Sequence, residues 1–262
     1  EYRKFVKENA AWLEDYSLFM AIKESQNGQQ WSLWPEPLKY RDPQALADFS
    51  EKHAESIEKQ QFNQFLFFSQ WEKLHAYAKQ NGILIIGDVP FVIALDSADV
   101  WANPNLFLMD AELNPTFVAG VPPDYFSRDG QLWGNPLYNW NVHRAQGYQW
   151  WLDRMAAVLK LVDLVRLDHF RGFAAAWHVP FGETTARTGE WVPGPGKETF
   201  TPFQQKFPTM PIIAEDLGVI TPDVEDMRDS FNLPGMKILQ FAFTGDPEDD
   251  FLPHHYPVNC FA

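Results

Sequence analysis

The chain holds 262 residues, 45% of them hydrophobic and 16% aromatic, with a formal charge of −14. So much apolar material excludes a disordered chain, and no window approaches the ~20 uninterrupted apolar residues of a membrane-spanning helix. The acidic balance argues against a nucleic-acid partner, because phosphate binding needs concentrated Lys and Arg.

In chain order, residues 1–80 read as helical. Asp42-Pro43 supplies an N-cap followed by proline at the first helical position. Trp71, Leu74 and Ala78 fall on one helical face, and Asn81-Gly82 ends that helix. Ile83-Leu84-Ile85-Ile86, short and unbroken, predicts a strand buried on both faces. From Asp88 to Tyr138 six prolines interrupt every period, the pattern of an irregular excursion kept for function. Tyr148 to Leu161 is a helix with Trp151, Met155, Val158 and Leu159 as its apolar stripe. A strand at 161–167, a Gly/Pro-rich loop at 182–198 and a strand at 211–214 follow. Thr221-Pro222-Asp223 opens a helix with Val224, Met227 and Phe231 on one face; Met236 to Phe243 reads as a strand, and 258–262 begins another. Strands alternating with helices imply a parallel sheet. The lone cysteine, Cys260, excludes an internal disulfide and a Cys-based zinc site, and favours a reducing compartment. A start at Glu1, an end at Ala262 inside an apolar run and no visible targeting stretch read as an internal fragment.

The strand ending in Arg166-Leu167-Asp168-His169 places Arg166 and Asp168 on one face. An arginine there favours the ionised carboxylate, and a held carboxylate can act as a nucleophile; a structural ion pair is the plain alternative. Glu215 ends the strand at 211–214 beside Asp216. Crowding by that neighbour pushes a carboxyl towards its protonated form, as a general acid requires, while Asp216 is the better candidate to cap the following turn. Asp88 closes the first strand, where it can accept from sugar hydroxyls or cap a turn before Pro90. His169 can donate to a sugar hydroxyl or serve structurally. His254-His255 lacks carboxylate or cysteine partners at metal-ligand spacing. Gly120 to Tyr138 mixes prolines, glycines and aromatics, a composition suited to a lid or a sugar-stacking loop.

Asp96–Pro104, Gly120–Tyr138, Arg166–Phe173, Ala214–Gly218 and Pro234–Phe243 together closely resemble the 4-α-glucanotransferases (amylomaltases, or disproportionating enzymes) of the α-amylase clan. The resemblance runs essentially end to end. It implies a (β/α)8 TIM barrel with helical and irregular insertions, truncated at both ends: 1–82 a helical insertion before barrel strand 3, and 83–262 the central barrel with an irregular insertion at about 88–140. It further implies Asp168 as nucleophile and Glu215 as acid/base. Arg166 and His169 match substrate-contacting residues, Asp88 a sugar-binding aspartate, and Tyr125 and Trp133 a loop arching over bound glucan; Phe241 joins the substrate-binding set. A third catalytic carboxylate of the family follows the strand that begins at Val258 and lies beyond this chain. Maltooligosaccharides and α-1,4-glucans are the implied partners, with no cofactor or metal, in the cytoplasm or a plastid. A glucan hydrolase of the same clan and a non-catalytic glucan-binding barrel are the rival readings.

Overall fold

The computed structural model describes residues 1–124 and 127–262. Helices α1 (Tyr2–Glu8), α2 (Ala10–Ser25), α3 (Glu36–Lys39), α4 (Pro43–Lys52) and α5 (Ala54–Gln80) fill the region expected to be helical. The Asp42 carboxylate accepts from the Ala45 N–H at 2.9 Å, so the N-cap works as its sequence indicates. α5 ends in a Schellman turn: Gly82 takes φ +73°, Ile83 N–H donates to Ala78 at 3.0 Å and Gly82 N–H to Lys79 at 3.1 Å. The stripe expected on this helix is only partly used. Leu74 is 53% exposed, whereas Trp71 and His75 face the body, Trp71 donating to the Leu161 carbonyl at 2.6 Å.

Strand β1 (Ile86–Val89) leads into α6 (Ala98–Ala102), strands β2 (Phe117–Val121) and β3 (Gln131–Pro136), and helices α7 (Trp140–Ala145) and α8 (Gln149–Val158). β4 (Leu164–Leu167) is followed by β5 (Ala175–Pro180), β6 (Glu190–Pro193), α9 (Lys197–Lys206), β7 (Ile212–Ala214), α10 (Pro222–Ser230), β8 (Gly235–Met236) and β9 (Cys260–Phe261). β1, β4 and β7 form a parallel sheet in that order, pairing Asp88 with Arg166 and Leu167 with Ala214. β8 and β9 make a short parallel pair, joined to β7 by the Ala214 N–H on the Pro234 carbonyl at 2.8 Å. This is a mixed α/β fold with an open sheet rather than a closed barrel.

A second sheet, antiparallel and ordered β3-β2-β5-β6, is absent from the sequence expectation. It arises inside the excursion after β1, in the segment 175–180, and inside the supposed loop at 182–198. The segment after β1 contributes β2 and β3, the segment after β4 contributes β5 and β6, and Ala119 pairs with His178 across the join. Strands this short gain their stability from long-range pairing, which local periodicity does not report.

Two strand expectations are corrected. Ile83 and Leu84 precede β1 and are 58% and 59% exposed, because the Schellman turn delivers them to the surface and β1, paired only with β4, is an edge. Of the run Met236 to Phe243 only Met236 lies in a strand, β8, before the chain turns into a 3-10 helix at Leu239–Ala242 with Phe243 80% exposed. The core lies beneath the parallel sheet. Val89, Val165, Leu167, Ile212 and Ala214 pack with Trp151, Phe170, Phe173 and Phe200, all buried.

Candidate active site

Alternation along β4 buries Val165 and Leu167 and turns Arg166 to the other face. The Arg166 guanidinium donates to Asp88 Oδ1 at 2.7 Å and pairs with Asp168 Oδ1 at 2.8 Å, linking the ends of two adjacent strands. Burial disfavours that cation, but Asp88, Asp168 and Glu215 together more than offset it and raise its pKa.

Glu215 stands just past β7. Its N–H donates to Leu167 at 3.1 Å and its carbonyl accepts from Phe170 N–H at 3.1 Å. Its carboxylate accepts from two backbone donors, His169 N–H at 2.8 Å and Leu217 N–H at 3.0 Å. Burial pushes this carboxyl above its ordinary range; the two backbone donors pull it down, Asp168 adds to the rise and Arg166 opposes it. The elevation therefore comes first from burial and then from Asp168 across the site, not from the adjacent Asp216. Asp216 is turned away: it pairs with Arg228 at 2.5 Å and accepts from Met236 N–H at 2.7 Å. The turn after β7 is accordingly capped by Glu215 and not by Asp216, the residue the sequence favoured for that cap.

His169 adopts φ +50°, a left-handed conformation unusual for a non-glycine residue, and this aims its N–H at Glu215. Its ring lies edge-on to Trp133, with centroids 4.8 Å apart at 85°, and 5.8 Å from Phe91. Burial, reinforced by the charge of Arg171, pushes the imidazole down to about 4. The ring is thus neutral at pH 7, with one N–H donor and one acceptor for hydroxyl groups. Trp133 reaches it from β3, so the antiparallel sheet places an aromatic over the end of the parallel one.

Of these groups Asp168, His169 and Trp133 border a cleft of about 470 Å³, whose lining also includes Pro90, Phe91, Ile93 and Asn135. Phe91, Ile93 and Asn135 are contributors that sequence reasoning missed. Asn135 donates to the Ile93 carbonyl at 2.8 Å and fixes the cleft wall. Gly172 carries a signal for Phe91: an added Cβ would lie 2.5 Å from that ring, so the backbone needs glycine there. Phe241 is not brought to this cluster; its ring contact is with Phe251, edge-on at 5.4 Å. Tyr125 lies outside the described residues. His254 and His255 touch each other, and among the described residues no group of three or more His, Cys, Asp or Glu could hold a metal.

The family model described as 4-alpha-glucanotransferase matches residues 1–262. A 4-alpha-glucanotransferase of Thermus thermophilus is 51% identical over 258 residues, covering 98% of this chain and 52% of that protein. A chloroplastic/amyloplastic 4-alpha-glucanotransferase of Arabidopsis thaliana is 46% identical over 250 residues, covering 95% and 43%. Among solved structures, amylomaltase from Streptococcus agalactiae in complex with acarbose superposes with a TM-score of 0.95 at 39% identity, covering 99% of this chain and 52% of that one. The chain spans about half the length of the curated relatives it matches.

Proposed function

The chain belongs to the 4-alpha-glucanotransferase family, and from that membership we propose that the protein transfers α-1,4-glucan segments between maltooligosaccharides with net retention. Asp168 attacks the anomeric carbon while Glu215 protonates the departing glycosidic oxygen, giving a covalent β-glucosyl-enzyme. Glu215, now a base, takes the proton from the 4-hydroxyl of an acceptor glucan, whose oxygen displaces Asp168 and restores the α-1,4 bond. Arg166 orients Asp168 and Asp88. Neutral His169 and Asp88 meet sugar hydroxyls, and Trp133 and Tyr125 offer ring faces.

The observation that carries this reading is the pairing of two differently held carboxyls at the ends of adjacent parallel strands. Asp168 is ion-paired to an arginine, and Glu215 is buried and raised in pKa. One is suited to remain an anion and the other to deliver a proton. In the same reading β1, β4, β7 and β8 are successive strands of a (β/α)8 barrel, residues 1–82 are a helical insertion before its third strand, and 83–262 are its central part. The protein acts in the cytoplasm, or in a plastid as the names of the plant relatives suggest. The chemistry asks for neither metal nor cofactor, since a carboxylate nucleophile and a proton donor suffice.

Incubating the complete protein with maltotriose and resolving products by size tests the proposal. Glucose with a ladder of longer maltooligosaccharides is expected. Glucose and maltose alone would make it a hydrolase, and binding without products a glucan-binding barrel.

A further inference from the structure

Arg171 is a buried cation that makes no ion pair among the described residues. It sits three residues after Asp168, is 8% exposed, and its Nε is buried without a hydrogen-bond partner. Its guanidinium lies 3.9 Å from the ring centroid of Trp191 on β6, and one of its nitrogens donates to the Val219 carbonyl. Burial lowers its pKa, and the charge of Asp223, at the start of α10, opposes that. A guanidinium taken out of water without a carboxylate partner costs stability. Stacking on an aromatic face returns only part of that cost.

The position of Arg171 accounts for its retention. It joins three segments: the 3-10 helix Phe170–Phe173 that follows the nucleophile strand, β6 of the antiparallel sheet, and the loop that leaves Glu215. At their roots the first and third are tied by backbone, through His169 N–H on the Glu215 carboxylate and Phe170 N–H on its carbonyl. At Val219 the tie is the Arg171 side chain. Between root and tip lies Leu217, whose N–H is the second donor to the Glu215 carboxylate.

We infer that Arg171 is a positioning residue of the transfer reaction: it clamps the 215–220 loop so that Leu217 and His169 aim the Glu215 carboxyl at the glycosidic oxygen. The inference rests on the reading of Glu215 as acid/base. The charged groups acting on Glu215 itself are Asp168 and Arg166, so Arg171 works through the loop and not through direct contact.

The test uses Arg171→Met and Arg171→Lys in the complete protein, with donors that differ in their need for a proton. The sugar expelled from maltotriose departs only if its glycosidic oxygen is protonated; α-maltosyl fluoride releases fluoride without that help. Turnover of maltotriose by Arg171→Met should fall about 100-fold, within the range general acid catalysis supplies, while first-turnover fluoride release stays within about threefold of the parent. With the Leu217 donor loosened, the Glu215 charge is less stabilised, so the alkaline limb of kcat/KM should move to higher pH. Equal losses on both donors, or none on either, would overturn the inference. Amide exchange gives an independent reading: Leu217 should lose protection in Arg171→Met while Val165 and Leu167 keep theirs. If the parent protein transfers no glucan, the reading of Glu215 fails, and unchanged protection at Leu217 would overturn the clamp separately. Should Arg171→Met not fold, Arg171→Lys carries the same comparisons, because an ammonium cannot both stack on Trp191 and bond Val219 as a planar fork does.

Discussion

A carboxyl buried beside a second carboxylate resists ionisation, and Glu215 is in that position. Its folded-state pKa lies above the unfolded value. The stability it contributes is therefore fully present below the unfolded pKa of about 4.3 and is lost as pH rises through the folded value. Glu215→Gln should accordingly raise Tm at pH 8, with the gain shrinking towards pH 4, and lower kcat by about 10²–10⁴-fold. Thermal melts at both pH values and steady-state kinetics check the two halves. Asp168→Asn should remove the nucleophile and reduce transfer by at least about 10⁴-fold, the scale that loss of a nucleophile costs elsewhere. Undiminished transfer by that variant would falsify the assigned role. At this scale the sequence was most legible. Arg166 and Asp168 meet as strand alternation requires, because side-chain direction on a strand is a local property; Asp88 joins them only through the β1–β4 pairing. The cause of the Glu215 elevation was not legible, since burial and the approach of Asp168 depend on residues from other strands.

Elements hold the site through contacts between distant segments, and Asp163 shows how. It stands just before β4, accepts from Ile85 N–H at 3.0 Å, and pairs with His75 at 2.8 Å and Lys79 at 3.3 Å on α5. The Ile85 N–H, with help from His75 and Lys79, holds its carboxyl down at about 2. A depressed carboxylate contributes stability above its unfolded pKa of about 3.9 and loses it as pH falls through the folded value. Asp163→Asn should therefore lower Tm at pH 6 by about 4 °C, and the difference should close as pH approaches 2. An unchanged Tm at pH 6 would mean that the Asp163 contacts add nothing to the docking of α5. Helix boundaries were readable because caps are local chemistry, Asp42 and Asn81-Gly82 being examples. Strand extents were not: Met236 onward carries a strand's composition, but only Cys260 and Phe261 pair with it.

At the scale of the molecule, β1 is an open edge with Ile83, Leu84 and Ile86 about half exposed beside it, and Leu239, Phe243 and Val258 are exposed near the opposite end of the sheet order. Open parallel edges with apolar borders recruit further strands. A polypeptide of residues 1–262 should therefore self-associate as its concentration rises, visible by light scattering; a stable monomer would contradict this. Composition, strand alternation and caps by themselves determined an α/β chain, its parallel sheet and the two carboxyls at its strand ends, because each of these is encoded within a few neighbouring residues. Only the tertiary structure decided that the segments after β1 and β4 pair into one antiparallel sheet, that this sheet lowers Trp133 onto His169, and that Arg171 ties it to the Glu215 loop. Those pairings join residues tens of positions apart, and their energy comes from burial and geometry that exist only once the chain has folded.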